Sequence, residues 1–320
     1  MRYVNAGGAR LSVIGVGTWQ FGSREWGYGE QYASAESQRI VHRALDLGVN
    51  LFDTAEAYGF GRSERILGRA LEGRRSSAFV ATKVFPVLPL APIVAQRGRA
   101  SRGRLGVDAI DLYQLHWPNP VVPLREQMAG MRRLLDGGVV HHVGVSNYRL
   151  EGWMAADRAL GAPVLSNQVR FSLADTRPLA MAEWAAAQGR VVIAYSPLAQ
   201  GLLSARYDET NAPGGVRATN PLFLPESLRR ARPLLDTLRE VAAAHDAKPS
   251  QVALAWVVHH PNVVAIPGAS SVEQLEQNVA AADITLSPGE MEALTGAALA
   301  FSPVSGPAAW TGVLRRRVGR

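Results

Sequence analysis

The stretch that decides the fold is Asn50-Leu51-Phe52-Asp53-Thr54-Ala55-Glu56-Ala57-Tyr58-Gly59, in which a short apolar run ends at one ionisable residue beside a turn. Two later stretches have the same form, Phe79-Val80-Ala81-Thr82-Lys83 and Ile110-Asp111-Leu112-Tyr113-Gln114-Leu115-His116-Trp117. Each predicts a buried strand. Parallel neighbouring strands meet at their carboxyl ends, so one cleft would collect the ionisable groups of all three. These groups are Asp53, Tyr58, Lys83 and His116.

The same pattern, an apolar strand followed by a helix, repeats along the chain. We predict eight strands, which end at Gly17, Asp53, Lys83, His116, Val145, Val169, Tyr195 and Ile266. Strands that alternate with helices form a parallel sheet. Eight such units favour a closed (β/α)8 barrel, the TIM barrel, over an open doubly wound sheet. No G-x-G-x-x-G opens a helix after a strand, which argues against a Rossmann fold.

Further elements are predicted around the barrel. Residues 2–12 are typical of an N-terminal β-hairpin that turns at Gly7-Gly8. A long loop over residues 199–225 follows the seventh strand, and extra helices over 228–245 and 250–259 precede the eighth. No linker separates the two halves of the chain, so we predict one (β/α)8 domain over residues 1–320.

The composition narrows the class of protein. Hydrophobic residues at 47% and charged residues at 19% predict a full core and little disorder. The absence of cysteine excludes disulfides, thiolate metal sites and cysteine catalysis. The net charge of +7 indicates a solvated surface or attraction of an anionic ligand, and no nucleic-acid site is predicted. No signal-like N-terminus or membrane-spanning apolar run is present, so we expect a cytoplasmic protein without a membrane partner.

Lys83 is unusual in this chain, because the 34 basic residues include only two lysines, Lys83 and Lys248. A buried lysine shifts its pKa readily, whereas arginine does not lose its proton. We therefore interpret Lys83 as a functional residue, with a structural lysine as the alternative.

A tyrosine beside a lysine and a carboxylate is suited to proton transfer. The phenol has an ordinary pKa of about 10, and a neighbouring ammonium lowers it. We predict that Lys83 tunes Tyr58, that Asp53 holds Lys83, and that His116 donates to a substrate oxygen. Such a set protonates a carbonyl oxygen but needs an external hydride donor. His116 has no companion metal ligand at a suitable spacing, so no metal site is predicted.

The remaining strand ends suggest a dinucleotide site. The candidates are Ser146, Asn147 and Gln168 for a carboxamide, Tyr195 for stacking on a nicotinamide ring, and Arg206 and Arg217 for phosphate. The turn at residues 266–271 leads into a helix N-terminus, which favours anions. Structural alternatives remain open. Asn147 and Gln168 could satisfy turn backbones, Tyr195 could be a core residue, and Ser270 with Glu273 could form a capping box.

In this order, the motifs resemble those of the aldo-keto reductases, specifically the bacterial branch similar to the β subunits of voltage-gated potassium channels. The resemblance extends from Gly15 to Asn278. Its motifs are Gly15-Val16-Gly17-Thr18-Trp19, Asp53-Thr54-Ala55, Tyr58-Gly59, Ala81-Thr82-Lys83, Leu115-His116-Trp117-Pro118, Gly144-Val145-Ser146-Asn147, Asn167-Gln168, Tyr195-Ser196-Pro197-Leu198, Gly201-Leu202-Leu203 and Ile266-Pro267-Gly268-Ala269.

The resemblance implies a (β/α)8 barrel with NADPH across its carboxyl-end face and a small carbonyl compound as substrate. It implies a tetrad in which Tyr58 is the acid and base, Asp53 and Lys83 tune it, and His116 orients the carbonyl. The implied cofactor contacts are Thr18, Trp19, Asp53, Ser146, Asn147, Gln168, Tyr195, Ser196, Pro197, Leu198, Gly201, Arg206, Arg217, Gly268, Ser270, Gln274, Gln277 and Asn278. The expected substrate walls are Trp19, Trp26, Tyr28, Phe85, Trp117, Phe223 and Trp310.

Three positions depart from the family pattern. Gln274 stands where arginine is common, Gln277 where glutamate is usual, and Phe171 where tyrosine is common. The first departure leaves NADH as an alternative to NADPH. The leading hypothesis is an NADPH-dependent carbonyl reductase. A cofactor-binding regulatory subunit with slow turnover is the alternative, and the missing ligand pairs argue against a metal-dependent hydrolase.

Overall fold

The computed structural model describes residues 1–22, 30–307 and 309. Ten strands are present in this part of the chain: β1 (Tyr3–Ala6), β2 (Ala9–Ser12), β3 (Val16–Gly17), β4 (Leu51–Asp53), β5 (Phe79–Val84), β6 (Ile110–Leu115), β7 (Val140–Ser146), β8 (Ser166–Arg170), β9 (Val191–Tyr195) and β10 (Val263–Ala265). β1 and β2 form the predicted antiparallel hairpin, with positive φ at Gly7 and Gly8 in its turn.

The other eight strands form one parallel sheet in sequential order from β3 to β10. Backbone hydrogen bonds join its first and last strands. The Gly15 N–H donates to the Ala265 carbonyl, and the Ala265 N–H donates to the Val13 carbonyl, both at 2.8 Å. A Cβ at Gly17 would lie 2.8 Å from the Ile266 carbonyl oxygen, so glycine permits this close approach. The sheet therefore closes into the predicted (β/α)8 barrel.

Helices surround the barrel. The described helices are α1 (Trp19–Gly22), α2 (Glu30–Asp46), α3 (Arg62–Ala70), α4 (Ala91–Leu105), α5 (Leu124–Asp136), α6 (Leu150–Leu160), α7 (Leu179–Ala187), α8 (Pro225–Ala244), α9 (Pro249–His259), α10 (Val272–Ala280) and α11 (Pro288–Ala300). Their apolar faces pack on the outward side chains of the strands in one large core. No helix of the described chain is both long and apolar enough to span a membrane.

Along β4, β5 and β6, the inward-facing side chains change from apolar to polar toward the carboxyl end of the strand. Near the amino ends of the strands, a second apolar cluster that includes Leu51, Ala81, Leu112 and Ile193 packs with the residues of the N-terminal hairpin. Because strand side chains alternate, the next inward position on β4, β5 and β6 is two residues later. These positions hold the polar residues Asp53, Lys83 and Gln114, all buried. The barrel thus has an apolar lower half and a polar layer beneath its carboxyl-end face.

Some predicted boundaries differ from the structure. The strand expected over residues 13–17 is reduced to Val16–Gly17, because the residues before it pair with β10 only at the isolated bridge of Ile14. The loop expected over residues 199–225 contains three 3-10 helices, at Ala199–Ser204, Gly215–Thr219 and Pro221–Phe223. Helix α11 begins with a capping box formed by Ser287 and Glu290.

Candidate active site

Asp53, Lys83 and Tyr58 form a connected group at the centre of the polar layer. The Lys83 ammonium donates to Asp53 Oδ1 at 2.7 Å, to the Thr54 carbonyl at 2.8 Å and to the Tyr58 hydroxyl at 3.4 Å. Lys83 and Asp53 are almost completely buried. The three protons of the ammonium therefore all have partners, which fixes the amine next to the phenol. The structure brings together the three residues that the strand ends predicted.

The other oxygen of Asp53 is held by glutamines. Gln168 Nε2 donates to Asp53 Oδ2 at 2.6 Å, and Gln114 Nε2 lies 3.5 Å from the same atom. The sequence reasoning missed Gln114 altogether and assigned Gln168 to a carboxamide. A polar residue inside the apolar run of β6 is the signal that would have found Gln114, because buried polar groups need partners.

Burial and charge set the protonation of Tyr58 and Lys83. Burial raises the pKa of Tyr58, and the opposing effect of Lys83 does not cancel that rise. Lys83 lowers the pKa of Tyr58, as the sequence predicted, but burial raises it by more, so the net pKa lies above the ordinary value. Burial also disfavours the Lys83 ammonium, but Asp53 and Tyr58 outweigh it and raise the pKa of Lys83. The group therefore holds a protonated phenol beside a charged ammonium at neutral pH.

His116 lies next to Tyr58 as an uncharged ring. Burial, reinforced by the Lys83 ammonium, lowers the pKa of His116 to about 3. The ring centroids of His116 and Tyr58 are 5.9 Å apart in an edge arrangement. Nδ1 of His116 is buried and has no hydrogen-bond partner in the part of the chain that the structure describes. A neutral imidazole keeps one N–H, so His116 can act as a hydrogen-bond donor without changing the charge of the site.

Ser146, Asn147 and Tyr195 form a second hydrogen-bonded group. The Tyr195 hydroxyl donates to Asn147 Oδ1 at 2.9 Å. Asn147 Nδ2 donates to Ser146 Oγ at 3.0 Å and to the His116 carbonyl at 3.2 Å. The Ser146 hydroxyl donates to the Gln168 carbonyl at 2.9 Å. These contacts hold the ring of Tyr195 at the end of β9, and they connect it to the strand ends that carry His116 and Gln168.

The loop after β9 has an unusual backbone. Positive φ angles occur at Ser196, Ala199, Gln200 and Gly201, with values of 49°, 49°, 56° and 99°. A non-glycine residue in this region costs about 1 kcal/mol or more, and such strain concentrates at binding loops. Pro197 is buried and Leu198 is half-buried in the same turn. A strained turn beside Tyr195 fits the predicted path of a dinucleotide phosphate.

The two arginines predicted to bind phosphate occupy different environments. Arg206 is exposed, and its guanidinium carbon lies 4.9 Å from the ring centre of Tyr207. Arg217 is half-buried, and its Nε donates to the Gln200 carbonyl at 2.9 Å. Arg217 is therefore tied to the loop after β9, whereas Arg206 projects from it.

The side chain of Gln274 accepts hydrogen bonds within the segment after β10. The Ser270 N–H and hydroxyl donate to Gln274 Oε1 at 2.9 and 2.6 Å. The capping box suggested for Ser270 is not formed. The N-cap of α10 is Ser271, whose Oγ accepts from the Gln274 N–H. Two predicted cofactor contacts further along α10 also form hydrogen bonds within the protein. Gln277 donates to Glu273, and Asn278 donates to the Gly268 carbonyl.

Two residues at the end of β3, Thr18 and Gln20, form hydrogen bonds with other segments of the chain. The Thr18 hydroxyl lies 3.0 Å from the Asp53 carbonyl and 2.8 Å from Ser63 Oγ. Its hydrogen bonds are therefore made to other groups of the protein. Gln20, which the sequence reasoning missed, donates to the Ala269 carbonyl at 2.8 Å. A Cβ at Gly268 would lie 2.6 Å from the Gln20 side chain, so the glycine allows this contact between α1 and the segment after β10.

The predicted substrate walls divide into three groups. The side chains of Trp19, Phe85 and Trp117 are 42%, 39% and 45% exposed, and the rings of Phe85 and Trp117 lie about 6 Å from that of His116. Phe223 is fully buried in the main core, where its ring contacts that of Tyr207. The 3-10 helix Pro221–Phe223 directs this ring inward. The remaining wall residues, Trp26, Tyr28 and Trp310, lie outside the described residues.

Comparison with known proteins identifies the class. Residues 13–298 match the family model described as the aldo/keto reductase family. The chain belongs to this family, which confirms the prediction of an NAD(P)H-dependent oxidoreductase with a (β/α)8 barrel.

Particular relatives agree with this assignment. The chain is 58% identical over 322 residues to an uncharacterised oxidoreductase of Mycobacterium tuberculosis, covering 100% of both chains. It is similar to an aldo-keto reductase from Klebsiella pneumoniae solved in complex with NADPH, with 29% identity, coverage of 96% and 98%, and a TM-score of 0.75. It is also similar to a glycerol dehydrogenase from Gluconobacter oxydans, with 28% identity, coverage of 95% and 98%, and a TM-score of 0.85.

Proposed function

We propose that this protein reduces aldehydes or ketones to alcohols with NADPH, and that Tyr58 is the general acid. The observation that carries the proposal is the Lys83 ammonium, which bonds both Asp53 and the Tyr58 hydroxyl inside the polar layer of the barrel. A protonated phenol beside a fixed positive charge is suited to protonating an oxygen on which negative charge develops.

The residues present fit a nicotinamide dinucleotide. Tyr195 is held at a strand end with its ring half-buried, beside the strained turn that begins at Ser196. Ser146 and Asn147 lie on the neighbouring strand end, and Gln168 bonds Asp53 through Nε2 rather than through Oε1. These side chains would hold the nicotinamide end. When bound, NADPH supplies the hydride that the protein itself lacks.

The chain's own residues account for the proton. Tyr58 donates its hydroxyl proton to the carbonyl oxygen, which becomes the alcohol oxygen while the carbonyl carbon receives the hydride. The Lys83 ammonium stabilises the resulting tyrosinate, because it already lies 3.4 Å from that oxygen. Asp53 and Gln168 keep the ammonium in place, and neutral His116 orients the carbonyl through a hydrogen bond.

The test is to mix the purified protein with NADPH and a panel of aldehydes and ketones, and to follow NADPH absorbance together with alcohol formation. We expect stoichiometric NADPH oxidation and alcohol production. Tight NADPH binding with no turnover on any carbonyl would contradict reduction and support the alternative, a cofactor-binding regulatory subunit.

The preference for NADPH over NADH is part of the proposal. Arg217 is anchored on the loop after β9 and Arg206 is exposed, so either guanidinium would act on the 2′-phosphate from the rim of the site. Contacts at an exposed rim are screened by salt. We therefore expect a modest preference that falls as ionic strength rises, measured as the Kd of each cofactor at low and moderate salt.

A further inference from the structure

Arg170 faces the mouth of the barrel beside Tyr195. It lies two residues after Gln168 on β8, so both side chains belong to the inward face of the strand. Arg170 and Tyr195 are direct partners in the β8–β9 register. The guanidinium carbon of Arg170 lies 5.9 Å from the Tyr195 ring centre. The proposed proton transfer uses Gln168 but gives Arg170 no role.

Among the residues that the structure describes, no carboxylate neutralises the charge of Arg170. No aspartate or glutamate of residues 1–22 and 30–307 forms an ion pair with it. The nearby acid Asp175 is already engaged by Arg177, whose Nε and Nη2 donate to both carboxylate oxygens at 2.7 and 2.5 Å. Arg177 and Asp175 therefore compensate each other, and the guanidinium of Arg170 is left as a net positive charge.

A cavity of about 630 Å³ adjoins this charge. It lies between the loops that follow β8 and β9 and the segment that follows α11. Its polar lining includes Arg170, Asp175, Arg177, Ser196, Gln200 and Ser302. The cavity is distinct from the sites already described, because its lining contains no member of the tetrad and no predicted cofactor residue of α10. Ser196 is the one residue that it shares with the predicted cofactor contacts.

We propose that this cavity is a subsite for a small organic anion, a carboxylate or a phosphate, held by Arg170. A guanidinium presents five donors in a planar fork that matches such anions, and hydroxyl and amide groups around it supply further hydrogen bonds. The anion is either the far end of a carbonyl substrate or a separate molecule. The first source rests on the proposed reductase function, and the second does not.

The first arm compares two aldehydes of equal length, one ending in a carboxylate and the other in a carboxamide. The kcat/KM ratio of carboxylate to carboxamide is measured for wild type, Arg170→Met and Arg99→Met. Arg99 is an exposed arginine of α4 away from the cavity, so its replacement controls for the change in net charge. We expect Arg170→Met to lower the ratio about ten- to a hundredfold and Arg99→Met to leave it unchanged. A defect in Tyr195 would lower both rates together and leave the ratio intact.

The second arm measures binding without turnover. Inorganic phosphate and succinate are titrated into cofactor-free protein by calorimetry, for the same three proteins. If succinate or phosphate binding depends on Arg170 while the aldehyde ratio does not, the anion is a separate molecule and the subsite stands. If neither quantity responds more to Arg170→Met than to Arg99→Met, the proposal is overturned.

A third measurement separates the subsite from the cofactor. If Arg170→Met removes the preference for NADPH over NADH, Arg170 serves the cofactor phosphate and the anion subsite is rejected. If every aldehyde fails to react in wild type, the proposed reductase function fails, and the calorimetric arm alone decides the subsite.

Discussion

At the centre of the cleft, each oxygen of Asp53 and each proton of Lys83 meets a partner inside the protein, at distances of 2.6 to 3.5 Å. At the rim, which consists of the loop after β9 and the segment after β10, Arg206 and Gln274 lie at the surface. The centre is thus preorganised before any ligand arrives, whereas the rim rests on its own internal hydrogen bonds. Preorganised groups act on a transition state, and exposed groups contribute weak, salt-dependent binding.

Removing the proposed acid at the centre, the Tyr58 hydroxyl, should have the largest effect. Tyr58→Phe keeps the ring but removes the proton that the carbonyl oxygen needs. We expect kcat to fall about 10²- to 10⁴-fold, while the Kd of NADPH stays within about threefold of wild type. Stopped-flow hydride transfer and cofactor fluorescence measure the two quantities. The control is Tyr113→Phe, a buried tyrosine on the outward face of β6. Near wild-type kcat in Tyr58→Phe would contradict the assignment of the acid.

Gln168→Leu should have the next largest effect, and it separates two roles of this residue. In the structure its amide nitrogen holds Asp53 Oδ2 at 2.6 Å. Loss of a buried hydrogen bond to a charged group costs about 1.5–3 kcal/mol, so we expect kcat to fall roughly ten- to a hundredfold.

The pattern of kinetic change distinguishes the roles of Gln168. Gln114→Leu, which removes the 3.5 Å contact with Asp53 and the 3.4 Å contact with the Ser166 hydroxyl, should have a smaller effect. If Gln168 serves only a carboxamide, Gln168→Leu would weaken NADPH binding and leave the single-turnover rate of the bound complex unchanged. That outcome would show that its bond to Asp53 has no part in catalysis.

Adding charge to the rim should have a smaller effect in the opposite direction. Gln274→Arg places a guanidinium one turn into α10, where the 2′-phosphate is expected. The variant loses the bonds that Gln274 accepts from Ser270. We expect NADPH affinity to rise about five- to tenfold at low salt, and the gain over NADH to shrink as salt increases. Gln188→Arg makes the same change in charge at an exposed position beyond α7. Equal gains in both variants would show a general charge effect.

The sequence predicted the members of the cleft better than their connections. Asp53 and Lys83 are each the ionisable end of an apolar strand, and closure of a parallel barrel brings such ends together. The bond from Gln168 to Asp53 could not be predicted, because it crosses the barrel between strands 115 residues apart. The effect of Lys83 on the pKa of Tyr58 was predicted in the right direction, but the larger effect of burial could not be, since burial is a property of the assembled core.

Local signals at the rim were ambiguous for a different reason. Ser270 and Ser271 are adjacent, and either could begin a helix, but the structure makes Ser271 the N-cap because Gln274 folds back over Ser270. Phe223 was expected among the substrate walls, whereas the 3-10 helix Pro221–Phe223 turns its ring into the core. The residue at which a helix begins, and the direction in which a short turn points a ring, depend on packing, and a short sequence pattern does not contain that information.

The smallest expected effect is on the free energy of unfolding, and it tests whether His116 is held uncharged in the folded protein. The folded pKa of His116 is about 3, whereas an unfolded histidine titrates near about 6.5. Between these values the unfolded chain binds a proton that the folded protein does not. His116 therefore lowers the free energy of unfolding progressively as the pH falls below about 6.5, and it has no such effect above that pH.

We expect His116→Asn to reduce the loss of stability between pH 7 and pH 5 by about 1 kcal/mol, less than full burial would give because the side chain is partly exposed. The measurement is the free energy of unfolding in urea at several pH values.

His260 provides a comparison outside the cleft, because burial lowers its pKa to about 4 between the rings of Phe171 and Trp256. His260→Asn should flatten the same pH range without changing the kcat/KM profile. An unchanged pH slope in His116→Asn would mean that His116 takes up a proton in the folded protein, and that the imidazole beside Tyr58 is not held neutral.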